Sequence, residues 1–122
     1  MADTEIYNET AKNFTQYGGE ILLFNIENNV YGVEIQYITE IIGIQPITIV
    51  PKVPNYIKGV INIRGKVIPV MSVRNRFGKE EIPYDERTCI IVVEWDGIAV
   101  GLIVDRVREV LAVKPSQISA TP

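Results

Sequence analysis

Arg64 lies between two apolar, β-branched runs in the stretch Lys58–Gly59–Val60–Ile61–Asn62–Ile63–Arg64–Gly65–Lys66–Val67–Ile68–Pro69–Val70. Apolar arms of this kind bury themselves and hold the tip between them against the body of the protein. A guanidinium so placed stays charged, sheds water readily and offers a planar fork of donors to a partner. The chemistry open to it is charge-assisted recognition. The same spacing also suits an arginine that only solubilises a turn, and residue type alone does not decide between the two.

Bond-breaking chemistry finds little support. The chain has no histidine, which removes the commonest general base, the usual activator of a serine or cysteine nucleophile, and the usual nitrogen ligand for zinc. There is no glycine-rich phosphate cradle, no Gly-x-Ser-x-Gly elbow and no Asp-rich loop for a hard cation. Carboxylate or lysine catalysis and an all-oxygen metal site stay formally open. The expectation is no enzyme, no cofactor and no metal. The lone Cys89 lies in an apolar run, where a free thiol behaves as a small hydrophobe.

The elements that must position Arg64 follow from composition. In 122 residues, 35 valines and isoleucines stand against 4 leucines. Branching at Cβ disfavours helix and packs well on a pleated surface, so the fold class expected is mainly β. No apolar run approaches the roughly 20 residues that span a bilayer, and residues 1–18 show no hydrophobic signal segment. A flexible arm is expected over 1–18, and cytoplasmic residence overall.

From Glu20 onward the chain repeats itself at an offset of 69 residues. Ile21–Ile35 matches Ile90–Val104, each an apolar strand, a turn pair (Asn28-Asn29 or Asp96-Gly97) and a second strand. Asp-Gly tolerates positive φ at low cost and favours a two-residue hairpin. Ile38–Ile44 then matches Val107–Val113, and Gly32, Glu40 and Pro46 fall on Gly101, Glu109 and Pro115. Two homologous β units are expected, the first over about 19–85 and the second over about 86–122. The counterpart of the Ile57–Val73 hairpin would fall near position 126, so the second unit is expected to lack its last strands. On that reading Ile90–Val113 would present an open strand edge and promote self-association.

Charge is segregated as well: residues 52–79 carry a net +7 and no acid, between acidic flanks, in a chain of net charge −3. Such a dipolar surface can steer an acidic partner, or its charges can pair within the fold.

The run Pro54–Asn55–Tyr56–Ile57–Lys58–Gly59–Val60–Ile61–Asn62–Ile63–Arg64–Gly65, with Val67–Ile68–Pro69–Val70 and Val73–Arg74, resembles the CheW family of bacterial chemotaxis coupling proteins. Tyr31–Gly32–Val33 and Val100–Gly101–Leu102–Ile103–Val104–Asp105 support the resemblance, which covers about residues 19–122. It implies two small SH3-like β-barrels around a shared hydrophobic core. It also implies a non-enzymatic adaptor that links the cytoplasmic domains of chemoreceptors (methyl-accepting chemotaxis proteins) to the histidine kinase CheA. Carried over by motif, the partner-binding residues implied are Ile38, Glu40, Gly59, Asn62, Arg64, Gly65 and Val67.

Each has a plainer reading. Gly59 suits a bulge or close backbone approach, and Gly65 a positive φ. Ile38 and Val67 suit a core, and Asn62 needs a partner if buried. Two alternatives accompany the adaptor. One is an excised CheW-like domain of a larger chemotaxis protein such as CheA or a receiver-fused adaptor. The other is a nucleic-acid-binding barrel using the basic segment with Tyr56 and Phe77 as stacking platforms; the acidic chain and scarce aromatics weigh against it, and the expectation is no nucleic acid and no membrane insertion.

Overall fold

The computed structural model describes residues 19–113; the expected arm over 1–18 lies outside them. Eight strands and two short helical turns follow in order: β1 (Gly19–Ile26), β2 (Asn29–Glu34), a 3-10 turn (Ile35–Tyr37), β3 (Ile38–Gly43), β4 (Ile57–Ile63), β5 (Lys66–Ser72), α1 (Val73–Arg76), β6 (Cys89–Trp95), β7 (Ile98–Val104) and β8 (Arg106–Val113). The fold is mainly β, as its β-branched composition implies. Ser72 caps α1, its Oγ accepting from Asn75 N at 3.1 Å.

The strands form two sheets, β2-β1-β8 and β3-β6-β7-β5-β4. The five-stranded sheet curls into an SH3-like barrel. Its outer strands meet through an ion pair between Glu40 and Arg64, and the segment after β3 closes on β4 through two backbone bonds between Thr48 and Val60, both 2.9 Å. Ile61, Ile68, Val70, Ile90, Val92 and Ile103 fill the interior, and Ile42, Ile44 and Ile47 close over them. The opposite face of β6 and β7 carries Ile91 and Val104, which pack on Leu22, Phe24 and Ile26 of the three-stranded sheet. Tyr31 stacks on Phe24 (5.7 Å) and meets Phe77 in a tilted contact (5.1 Å) in this seam. Two cores therefore share the β6–β7 ribbon as a common wall.

The internal repeat is real in the fold, but its units are not divided at residue 85. β3 leaves its own hairpin to pair with β6, and β8 leaves its hairpin to pair with β1. The two pairings are equivalent under the 69-residue offset: Ile42↔Ile90 answers Leu111↔Ile21, Ile41↔Ile91 answers Val110↔Leu22, and Gly43↔Cys89 answers Ala112↔Glu20. Each ladder also carries one register shift, before Phe24 and before Glu40. The copies have exchanged their third strands. One sheet is thus built from β3–β7, while the other joins β1 and β2 to β8.

This narrows the open edge expected over Ile90–Val113 to β8, whose one neighbour among the described residues is β1. β6 and β7 lie inside the five-stranded sheet with neighbours on both sides, and Ile90, Ile91 and Val92 are buried. They offer no strand for self-association. The three-stranded sheet has β2 and β8 as its outer strands among the described residues.

Glu34, at the end of β2, is a carboxylate only 7% exposed. Burial raises its pKa, opposed by the hydrogen bond from Gln36 Nε2 (3.3 Å). A carboxyl whose folded pKa exceeds its unfolded one binds a proton more readily when folded. Stability is therefore lost as pH rises through that window, and the cost is complete above the folded pKa. Glu34→Gln is expected to melt above wild type at pH 7, with the gap closing as pH falls into the carboxylate range. Thermal melts across pH check this, and equal melting at neutral pH would contradict it.

Candidate functional site

The β4–β5 hairpin turns on Arg64 and Gly65, both with positive φ (51° and 84°). Gly65 takes that conformation without strain, and its N–H donates to Asn62 Oδ1 at 2.9 Å, which locks the turn. Arginine has no such freedom: a Cβ in the left-handed region costs about 1–2 kcal/mol. Asn or Gly would turn the chain more cheaply at this position. The side chain of Arg64 is 75% exposed, and its Nη2 donates to the carboxylate of Glu40 on β3. One edge of the fork is thus engaged within the fold and the remaining donors face solvent.

Strand polarity assembles the rest. β5 runs parallel to β7, so the β4–β5 tip and the β6–β7 tip share one end of the barrel. Lys66 Nζ reaches across β7 to Glu94 Oε2 at 3.2 Å, tying the two tips together. Asp96 and Gly97 form the second tip with φ of 54° and 79°, in the two-residue form expected for Asp-Gly. Trp95 and Ile98 face each other across it, each 69% exposed. They continue the apolar outer face of the β6–β7 ribbon beyond the point where the three-stranded sheet covers it.

The structure therefore gathers Glu40, Asn62, Arg64, Gly65 and Val67 at one end of the barrel. Asn62 is exposed and acts as the turn's acceptor, and Val67, directly opposite it, is 61% exposed. Ile38 instead packs against the seam core. Gly59 lies deep in β4, away from the tip, where an added Cβ would come within 2.1 Å of Thr48 O; its role is the close backbone approach.

Sequence reading missed Lys66, Glu94, Trp95 and Ile98. The last two carried a usable signal, since residues flanking a two-residue hairpin turn must stand side by side, and two large apolar groups there have little to bury against.

Other polar groups serve the scaffold. Glu81 accepts from Ser72 Oγ (2.7 Å) and Tyr84 Oη (3.0 Å). Burial, and then Glu81, push the Tyr84 phenol up to about 12. Burial also raises the Cys89 thiol, which keeps it protonated and unreactive. Both aromatics of the nucleic-acid reading are occupied: the Arg76 guanidinium sits 5.3 Å over the Tyr56 ring, and Phe77 packs on Tyr31. Among the described residues, no group of acidic, histidine or cysteine side chains is arranged to hold a metal, and no helix is long and apolar enough to cross a membrane.

A rigid double-cored β scaffold that displays fixed charges and uncovered apolar groups at one end has the make-up of a protein-recognition module. Residues 20–122 match the CheW-like domain, and the chain belongs to the CheW family. It is 37% identical to the chemotaxis protein CheW of Klebsiella aerogenes over 105 residues, covering 86% of this chain and 63% of that protein. It is also 37% identical to the chemotaxis protein CheW of Rhizobium meliloti, covering 92% and 72% respectively. The crystal structure of the scaffolding protein TtCheW from Thermoanaerobacter tengcongensis superposes with a TM-score of 0.76 at 36% identity, over 81% of this chain and 68% of that one. The chain thus spans under two thirds of the Klebsiella relative and about seven tenths of the Rhizobium one.

Proposed function

We propose that this chain is a non-enzymatic chemotaxis adaptor that couples the cytoplasmic tips of chemoreceptors to the histidine kinase CheA, acting in the cytoplasm. The observation that carries the reading is Arg64. It occupies a left-handed turn position that costs stability, most of its fork faces solvent, and Glu40 anchors it at one edge. Membership of the CheW family supports receptor and kinase as the partners. The same site would serve if the chain were a CheW-like domain of a larger chemotaxis protein.

Arg64→Ala is expected to leave stability within about 0.5 kcal/mol, because an exposed ion pair contributes little. Binding to a receptor cytoplasmic fragment should weaken by about 1–3 kcal/mol, the range for a lost charge-assisted contact. Calorimetry alongside thermal melts measures both, and wild-type affinity in the variant would refute the assignment.

Glu40→Lys should act mainly on association. It sets a second cation beside Arg64 and releases the fork from its anchor, and a rim charge governs on-rate more than off-rate. Stopped-flow mixing using the emission of Trp95, the chain's single tryptophan, reads this. An on-rate equal to wild type at low and high salt would remove Glu40 from the site.

A further inference from the structure

β7 begins at a hairpin tip and ends, at the far side of the fold, in the crossover to β8. There the segment between α1 and β6 stands away from this crossover and from the β1–β2 turn, leaving an open hollow of about 380 Å³. The segment contributes Ile82, Asp85 and Arg87 to its lining, and the turn and crossover contribute Glu27, Asp105 and Arg106.

The acids of this lining are taken up within the fold. Glu27 Oε2 accepts from Arg74 Nη1 (3.2 Å), and its Oε1 lies 3.7 Å from Lys79 Nζ. Both oxygens of Asp105 accept from Arg74, at 2.9 Å each. Asp85 Oδ1 accepts from the backbone N–H groups of Arg87 (2.8 Å) and Thr88 (3.2 Å). The two arginines differ. Both are exposed, and among the described residues neither guanidinium has a hydrogen bond or an ion pair. Asp85 does not hold the Arg87 fork: its carboxyl is kept below the usual range first by the Arg87 N–H, and the guanidinium charge is the smallest of the causes. Arg64, Lys66 and Lys79, by contrast, each meet an acid. What the hollow offers to an incoming group is therefore two free forks, with the Ile82 side chain, 48% exposed, beside them.

Those forks suit a carboxylate, which a guanidinium binds through parallel N–H donors. The fixed carboxylates behind them repel a dianion such as phosphate more than a singly charged group. Ile82 adds an apolar surface for a short methylene chain. We infer that the hollow is a docking site for a glutamate side chain on an acidic peptide segment, with its carboxylate held by Arg87 and Arg106 and its methylenes against Ile82. The site lies at the opposite end of the barrel from Arg64 and stands independently of the adaptor reading.

The test titrates the isotopically labelled full chain with the capped tripeptide acetyl-Ala-Glu-Ala-amide and follows the backbone amide and arginine Nε–H resonances. Acetyl-Ala-Gln-Ala-amide and inorganic phosphate are the comparison ligands. Arg87→Gln and Arg106→Gln are the variants, each checked by a melting curve that should match wild type, since both side chains are exposed. The expected result is saturable binding of the glutamate peptide, with shifts at the Thr88 and Arg106 amides and at the Nε–H of Arg87 and Arg106. Binding should be about tenfold weaker for the glutamine peptide, for phosphate and for each variant, as the loss of a charge-assisted contact implies. Absence of saturable binding, shifts confined to the Arg64–Lys66 tip, equal binding of the glutamine peptide, or wild-type affinity in both variants overturns the site. Phosphate binding at these arginines more tightly than the glutamate peptide overturns the peptide as its ligand.

Discussion

Arg74→Ala is expected to destabilise the fold by about 2–4 kcal/mol, the loss of several charge-assisted hydrogen bonds whose carboxylate partners keep part of their solvent. Arg74 is the residue through which the two sheets are clamped at the end of the barrel opposite the candidate site. Its side chain is 9% exposed. Its Nε and Nη2 each donate to Asp105 at 2.9 Å, and its Nη1 donates to Glu27 Oε2 (3.2 Å) and Glu80 O (3.1 Å). Asp105 stands where the chain crosses from β7 in one sheet to β8 in the other, and Glu27 forms the β1–β2 turn. One guanidinium therefore joins both sheets and α1.

Hydrogen bonding to Asp105, followed by the charges of Asp105 and Glu27, raises the Arg74 pKa above its usual value against the opposing effect of burial. The contribution is fully present below the unfolded pKa, so the clamp is intact throughout the ordinary pH range. Arg74→Lys should recover only part of the loss, because a single ammonium cannot reproduce the two-point contact with Asp105. Urea unfolding measures this: the midpoint should fall with an unchanged slope. A loss under 1 kcal/mol for Arg74→Ala would show that the sheets are held by the seam core alone.

Gly59→Ala is expected to cost about 2–4 kcal/mol, from backbone strain together with overpacking. The residue has φ of 144°, and its new Cβ would lie 2.1 Å from Thr48 O and 2.8 Å from Thr48 C, both backbone atoms that cannot swing aside. Relief requires breaking the Thr48–Val60 bonds that help close the barrel across its outer strands. Hydrogen exchange should show the Thr48 and Val60 amides losing protection before the seam does, alongside a lower melting temperature. Unchanged melting would mean that the 44–50 segment is free to move away. Any loss of partner binding in this variant should follow the loss of folded protein, because Gly59 lies away from the tip.

Local chemistry was legible in the sequence. β-branched runs separated by Arg64-Gly65 and Asp96-Gly97 gave both barrel hairpins, and the tip residues Glu40, Asn62, Arg64, Gly65 and Val67 do converge. Long-range choices were not. The repeat specifies a hairpin followed by a third strand, but the same pattern fits that strand equally well against either copy, so the exchange of β3 and β8 left no local mark. The first hairpin turns on Glu27 and Asn28, one residue earlier than its asparagines suggest. Glu27 holds a left-handed φ of 57° while its N–H donates to Asp105 Oδ2 at 2.8 Å, 78 residues away. No turn preference encodes that contact. The Lys66–Glu94 pair was hidden for the same reason, since it spans an intervening strand.

The central claim, that one small β scaffold joins two partners, is tested most directly by sedimentation of the chain with a chemoreceptor cytoplasmic fragment and CheA. The account predicts that receptor and kinase travel together in one species when the wild-type chain is present. It further predicts that Arg64→Ala, although folded, leaves the receptor fragment behind. A chain that binds each partner only in the other's absence, or an Arg64→Ala variant that bridges them as well as wild type, would contradict it.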